Sequence, residues 1–187
     1  GSGATQLSFG VATSGTVSYT WTEISPGGAT GSGTFGGSTA TITGLPTGAT
    51  IELRIAPTHF ERFIINSGAD RNRLIDVSQW GATKWSSMTA AFYGCAKLKI
   101  SATDTPDLSI VTDMSSMFNG CAALNGPLNI NSWNTQSVVN LSEIFRGATT
   151  FNQPIGNWVT GNATSFYKMF EDASTFNQPI ASWVTQS

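Results

Sequence analysis

Two carboxylate pairs, one histidine and two cysteines are the side chains of this 187-residue sequence with bond-making chemistry in reach. Asp104/Asp107 and Glu171/Asp172 would suit acid/base work or oxygen ligation of calcium. Neither pair has the regular ligand spacing of a calcium loop, so surface-turn carboxylates are the default reading. His59, in Thr58-His59-Phe60-Glu61-Arg62, has no second histidine and no nucleophile beside it, which sets it apart from catalytic and zinc patterns. Cys95 and Cys121 are too few for a disulfide framework. They share one column of a repeat, where reduced core thiols and a bond between adjacent units both stay open, while a metal site lacks other ligands. Nothing assembles into a nucleophile with its base, or a metal with an open position. The expectation is therefore no catalytic residue, no metal, no cofactor and no enzyme.

Groups suited to non-covalent recognition are more numerous. Trp133 and Trp158 offer flat apolar faces with a polar edge, fit for stacking on sugar rings or for packing in a core. Gln153 and Gln178 are expected at the surface as ligand contacts, with Lys99 as a further candidate. Asn125, Asn152 and Asn177 fall in one column beside Leu124, Phe151 and Phe176, as an asparagine ladder bridging backbone groups would. Asp70-Arg71-Asn72-Arg73 concentrates charge outside the repeats and reads as an exposed connector or a binding rim.

The elements that must position these groups have two grammars. From Trp80 onward a fixed period dominates. Phe92, Phe118, Phe145 and Phe170 are 26, 27 and 25 residues apart, and Trp133, Trp158 and Trp183 are 25 apart. Trp80 precedes Phe92 as Trp133 precedes Phe145, and Pro106 holds that column in between. Phe151-Asn152-Gln153-Pro154-Ile155 recurs as Phe176-Asn177-Gln178-Pro179-Ile180. Apolar columns Met88/Met114/Leu141/Phe166 and Ala91/Met117/Ile144/Met169 give each unit the same buried face. A unit this short cannot cover its own apolar stripe, so units stack, and about four at the inter-strand spacing of roughly 4.8 Å make a short solenoid.

Residues 1–66 read instead as short strands between Gly, Ser and Pro punctuation: Gln6 to Val11, Thr16 to Glu23, Thr39 to Ile42 and Thr50 to Ile55. Val17-Ser18-Tyr19-Thr20-Trp21 alternates in the manner of a half-buried strand, and Ser25-Pro26-Gly27-Gly28 and Leu45-Pro46-Thr47-Gly48 suit tight reversals. The expected class is thus mainly β with short helical turns: an antiparallel β-sandwich-like head (1–66), a connector (67–79) and a leucine-rich-repeat-like solenoid of about four 25–27-residue units (80–187).

Charged residues are 11% of the chain, with net charge -2, against roughly 25% charged in ordinary soluble proteins. Nucleic acid and anionic membranes, which call for concentrated Lys and Arg, are disfavoured. No stretch reaches the roughly 20 apolar residues of a membrane span. Gly1-Ser2-Gly3 reads as a cloning remnant with room for a leader before it. Trp183-Val184-Thr185-Gln186-Ser187 reads as the start of another unit without a polar cap.

Trp133 to Ile155 and Trp158 to Ile180 resemble the bacterial surface-protein repeat of about 26 residues, Trp-x-Thr-x-x-Val-x-x-Met-x-x-Met-Phe-x-x-Ala-x-x-Phe-Asn-Gln-x-Ile, and Val111 to Phe118 matches its middle. Ala91-Phe92-Tyr93-Gly94-Cys95-Ala96-Lys97-Leu98 is similar to the BspA-like leucine-rich repeat signature. The likeness spans residues 74–187, with Leu74 to Gly81 as its usual entry. It implies display outside the cell or on its surface, adhesion, and contact with a glycan or protein of another cell. The alternative is a structural spacer or fibre-tip component acting through a homo-oligomer, a trimer in the fibre case.

Overall fold

The computed structural model describes residues 5–185, and the chain divides into two compact units, residues 1–63 and 64–187. Gly1-Ser2-Gly3 lies outside the described residues, and the expected start of another unit at 183–187 lies partly outside them, at Gln186-Ser187. The protein is mainly β, with two 3-10 turns, Arg71–Arg73 and Ile130–Ser132.

The first unit is built from β1 (Leu7–Thr13), β2 (Val17–Ser25), β3 (Thr30–Phe35), β4 (Thr39–Ile42), β5 (Thr50–Ile55) and β6 (Phe60–Ile64). They form two sheets, β4-β1-β6 and β3-β2-β5, with β1 antiparallel to β4 and β2 antiparallel to both β3 and β5. Alternation along β2 buries Val17, Tyr19 and Trp21 and exposes Ser18, Thr20 and Thr22, because successive side chains point to opposite faces. The ring of Phe35 lies 6.3 Å from Phe9 of the other sheet, 6.1 Å from Tyr19 and 6.0 Å from Phe60. It joins the two inner faces, and truncating it to Ala would cost about 3–5 kcal/mol.

β1, β2, β4 and β5 stand where alternation placed them, whereas β3 and β6 were not expected. β3 reads Thr-Gly-Ser-Gly-Thr-Phe, and its glycines look like loop punctuation. They serve packing instead. Gly31 pairs with Trp21 and Gly33 with Tyr19, and a Cβ at either position would sit 2.5 Å from the indole or the phenol oxygen. The missing side chains let both rings lie against the sheet.

In the second unit the backbone repeats with the sequence. Each repeat holds two consecutive four-residue turns. The first closes through Ala91 N–H to Met88 O, Met117 to Met114, Ile144 to Leu141 and Met169 to Phe166. The second closes through Cys95 to Phe92, Cys121 to Phe118, Ala148 to Phe145 and Ala173 to Phe170, each at 3.0 Å. The third residue of every turn is left-handed: Ala90, Ser116, Glu143 and Lys168 (φ 50 to 57) in the first, and Gly94, Gly120, Gly147 and Asp172 (φ 60 to 79) in the second. That is the requirement of a type II turn.

These turns aim alternate N–H groups at the next repeat. Met88, Ala90, Phe92 and Gly94 donate to the carbonyls of Asp113, Ser115, Met117 and Asn119 at 2.7–3.0 Å. Met114, Ser116, Phe118 and Gly120 do the same to Asn140, Ser142, Ile144 and Arg146, and Leu141, Glu143, Phe145 and Gly147 to Ser165, Tyr167, Met169 and Glu171. The ladder also takes in the end of the expected head and the expected connector: Ile65 and Asn66 donate to Ala91 and Ala90, Ser67 donates to Tyr93, and β7 (Asp76–Val77) pairs in parallel with β8 (Lys99–Ile100).

The apolar columns fill the interior. Phe92, Phe118, Phe145 and Phe170 stack at 5.6, 5.8 and 5.9 Å within 14° of parallel. Phe151 stacks on Phe176 at 5.9 Å and Trp158 on Trp183 at 6.4 Å. Offset ring pairs at 4.5–7 Å add about 0.5–1.5 kcal/mol each beyond the area they bury.

Candidate functional site

The titratable groups that could do chemistry are tied to structure. Asp104 accepts the N–H groups of Trp80 (3.0 and 3.2 Å) and Gly81 (2.8 Å). Asp107 accepts Ser109 N–H at 3.0 Å, and the Ser109 hydroxyl first, with that N–H second, holds its carboxyl below the usual range. Glu171 bridges Lys168 at 2.9 Å and Arg146, and Lys168 holds its carboxyl low. Arg146 reaches Glu143 at 3.2 Å, and Glu143 accepts Asn119 Nδ2 at 2.9 Å. These side chains, half-buried apart from the buried Asn119, form a continuous chain of polar contacts from Asn119 to Lys168. Asp172 occupies a left-handed turn position. His59 is exposed at φ 65, with Nδ1 3.3 Å from Ser14 Oγ.

Cys95 and Cys121 are free thiols, both fully buried. Burial pushes Cys95 up to about 12 and Cys121 well above its ordinary value. Cys121 donates to Phe92 O at 3.1 Å. Among the described residues no three His, Cys, Asp or Glu are grouped to share a metal ion, and no helix is long and apolar enough to cross a membrane.

The recognition candidates are redistributed. Trp133 and Trp158 are 2% and 3% exposed, so neither presents a face to a ligand. Trp158 instead donates its indole N–H to Ile130 O at 2.8 Å, one repeat back. Gln153 and Gln178 are half-buried rather than free at the surface. Their Nε2 groups donate to Asn125 Oδ1 (3.1 Å) and Asn152 Oδ1 (3.0 Å). The asparagine column is a ladder, as its spacing implied: Asn125 Oδ1 accepts Asn152 N–H and Asn152 Oδ1 accepts Asn177 N–H. Gln153 and Gln178 are drawn into it because their amides reach the same oxygens. Lys99 remains exposed on β8. Asp70 and Arg73 pair at 2.9 Å, and Arg71 donates to Ser67 O and Gly68 O.

Alternation on β2 and β3 creates a surface that was not anticipated. Ser18, Thr20 and Thr22 stand opposite Thr34, Ser32 and Thr30, and all six are exposed. On the other side of β2, Arg54 stands opposite Thr20 and Glu52 opposite Thr22. An open concavity of about 510 Å³ lies here, lined by Ser18, Thr20, Ser32, Thr34, Arg54 and Ala56 among others. The period-2 hydroxyls at 18, 20 and 22 were visible in the sequence. Their partners at 30, 32 and 34 were hidden by the glycines between them.

Residues 76–187 match the family described as Mycoplasma protein of unknown function, DUF285. No curated protein and no solved structure matches the chain.

Proposed function

The chain belongs to the DUF285 family, whose function is unknown, and we propose that it is a non-enzymatic recognition module, displayed outside the cell or on its surface, that holds a glycan or protein of another cell. In this proposal residues 64–187 act as a short solenoid, in keeping with the likeness of their Trp-to-Ile columns to bacterial surface-protein and BspA-like repeats.

The observation that supports it is the ladder in which Met88, Met114 and Leu141 donate to Asp113, Asn140 and Ser165, about 25 residues on. It commits the aromatic columns to the interior and sets the remaining side chains in rows of equivalent polar groups. A repeated surface of that kind supports many modest hydrogen bonds without a deep pocket. With charged residues at 11% of the chain, hydroxyls and amides are the groups left to make contact.

The test is a screen of the purified full chain against a glycan array and intact bacterial and epithelial cells. Saturable binding that unlabelled chain displaces supports recognition; its absence from both surfaces sinks it.

A further inference from the structure

We propose that the outward face of the β3-β2-β5 sheet is a binding site for an extended, uncharged glycan, an inference that rests on the recognition reading and names its site and ligand class. The face is a two-by-three grid of hydroxyls: Ser18 beside Thr34, Thr20 beside Ser32 and Thr22 beside Thr30. Directly opposed side chains on antiparallel strands lie about 4.5–5.5 Å apart, and same-face neighbours along a strand about 6.8 Å. The mesh is on the scale of a hexopyranose ring. All six residues are exposed, and within the described residues none of their hydroxyls has a hydrogen-bond partner.

The third strand completes the surface. Arg54 and Glu52 are joined by two hydrogen bonds, Nε to Oε2 at 2.9 Å and Nη2 to Oε1 at 3.3 Å. The pair cancels its own charge while the Nη1 donors of an arginine side chain 72% exposed stay uncommitted. Behind the sheet, Tyr19 and Trp21, each 6% exposed, lie against Gly33 and Gly31. The hydroxyls are therefore displayed on a backed, rigid sheet rather than on loops.

Chemistry selects the ligand. A phosphate chain needs net positive charge, and the one guanidinium here is already matched. An apolar partner would strand six hydroxyls without hydrogen bonds. A hydroxyl offers one donor and two acceptor lone pairs, so a grid of them is reciprocated by another surface of hydroxyls, and a neutral polysaccharide is such a surface. The concavity of about 510 Å³ is open, as an internal stretch of a chain requires.

The experiment uses the full chain in native affinity gels and titration calorimetry with laminarin, mannan and dextran, and with hyaluronate as the charged control. The variant combines Thr20→Val, Thr22→Val and Thr34→Val, which removes hydroxyls while keeping the β-branched shape a strand favours. Thr112→Val, at an exposed position of the second unit, is the control. At least one neutral polysaccharide should retard the wild type and Thr112→Val equally, and the triple variant should bind it at least tenfold more weakly with an unchanged thermal midpoint. Independently of any variant, amide exchange in β2 and β3 should slow when that polysaccharide is added. No retardation by any of the three, equal response to hyaluronate, binding that survives the triple variant, or slowing confined to residues 64–187 overturns the proposal. The last two outcomes leave recognition standing with its site elsewhere.

Discussion

The side-chain oxygen of Asn125 accepts the backbone N–H of Asn152 at 3.0 Å, one repeat further along the chain. Asn152 passes the same bond to Asn177 at 2.9 Å. A side-chain amide thus does here what a backbone carbonyl does elsewhere in the ladder. Asn152→Ala would remove the bonds to the Asn177 N–H and the Gln178 amide together, and because water reaches both groups the cost is about 0.5–1.5 kcal/mol. Urea denaturation measures it, and a loss under about 0.5 kcal/mol would show that water replaces the bond. Gln153→Ala and Gln178→Ala, placed at a free surface by sequence reasoning, should each lose about 0.5–1.5 kcal/mol because both amides are engaged.

Phe145 meets four other aromatic rings. It is 0% exposed, with Phe151 at 4.0 Å, Phe118 and Trp158 at 5.8 Å and Phe170 at 5.9 Å. Phe145→Ala should cost about 3–5 kcal/mol. Phe145→Leu should recover at least half of that loss, and a cost below about 1 kcal/mol for Ala would contradict the packing described.

The left-handed columns differ in what they tolerate. Gly120→Ala places a Cβ at φ 73 and 3.5 Å from Gly94 Cα, so backbone strain alone sets a penalty of about 1–2 kcal/mol. Ala90, at φ 53, already bears such strain, and Ala90→Gly should leave stability unchanged or raise it by up to about 1 kcal/mol. Thermal midpoints of the two variants should move in opposite directions or, at the least, only that of Gly120→Ala should fall.

The thiols supply a pH dependence with a definite sign. Burial holds Cys95 up at about 12 against an ordinary value of 9.0, and Cys121 is shifted the same way. The unfolded chain therefore ionises first. The stability tied to these thiols is complete below pH 9.0 and is lost as pH climbs through 9.0 toward about 12. Cys95→Ala, which copies the Ala148 and Ala173 of the same column, should flatten part of that decline in denaturation midpoints measured from pH 8 to 11. Native thiol labelling at pH 8 should proceed only as fast as the protein opens.

Much of the scaffold was written in residue spacing. The Phe and Trp columns, the asparagine ladder and four of the six strands of the first unit follow from periods of 25–27 and of 2. What spacing could not convey was backbone hand. Ala90, Ser116, Glu143 and Lys168 share no side-chain property, yet all sit left-handed, because the turn's closing bond and the inter-repeat ladder together demand it. Likewise Gly31 and Gly33 read as loop residues until Tyr19 and Trp21 are seen lying on them. The candidate contacts were misjudged for a related reason. Trp133 and Trp158 are amphipathic in composition, but a ring repeated in register with its neighbours finds another ring before it finds solvent.

Every bond of the inter-repeat ladder joins residues about 25 apart, from Met88/Asp113 to Gly147/Glu171. The span of chain closed by each added repeat is therefore constant, and so is its entropic penalty, which depends only on the logarithm of loop length. Contact distance is therefore the same from one repeat to the next, and a lesion in one repeat should be felt chiefly where its N–H and carbonyl groups meet the repeats beside it.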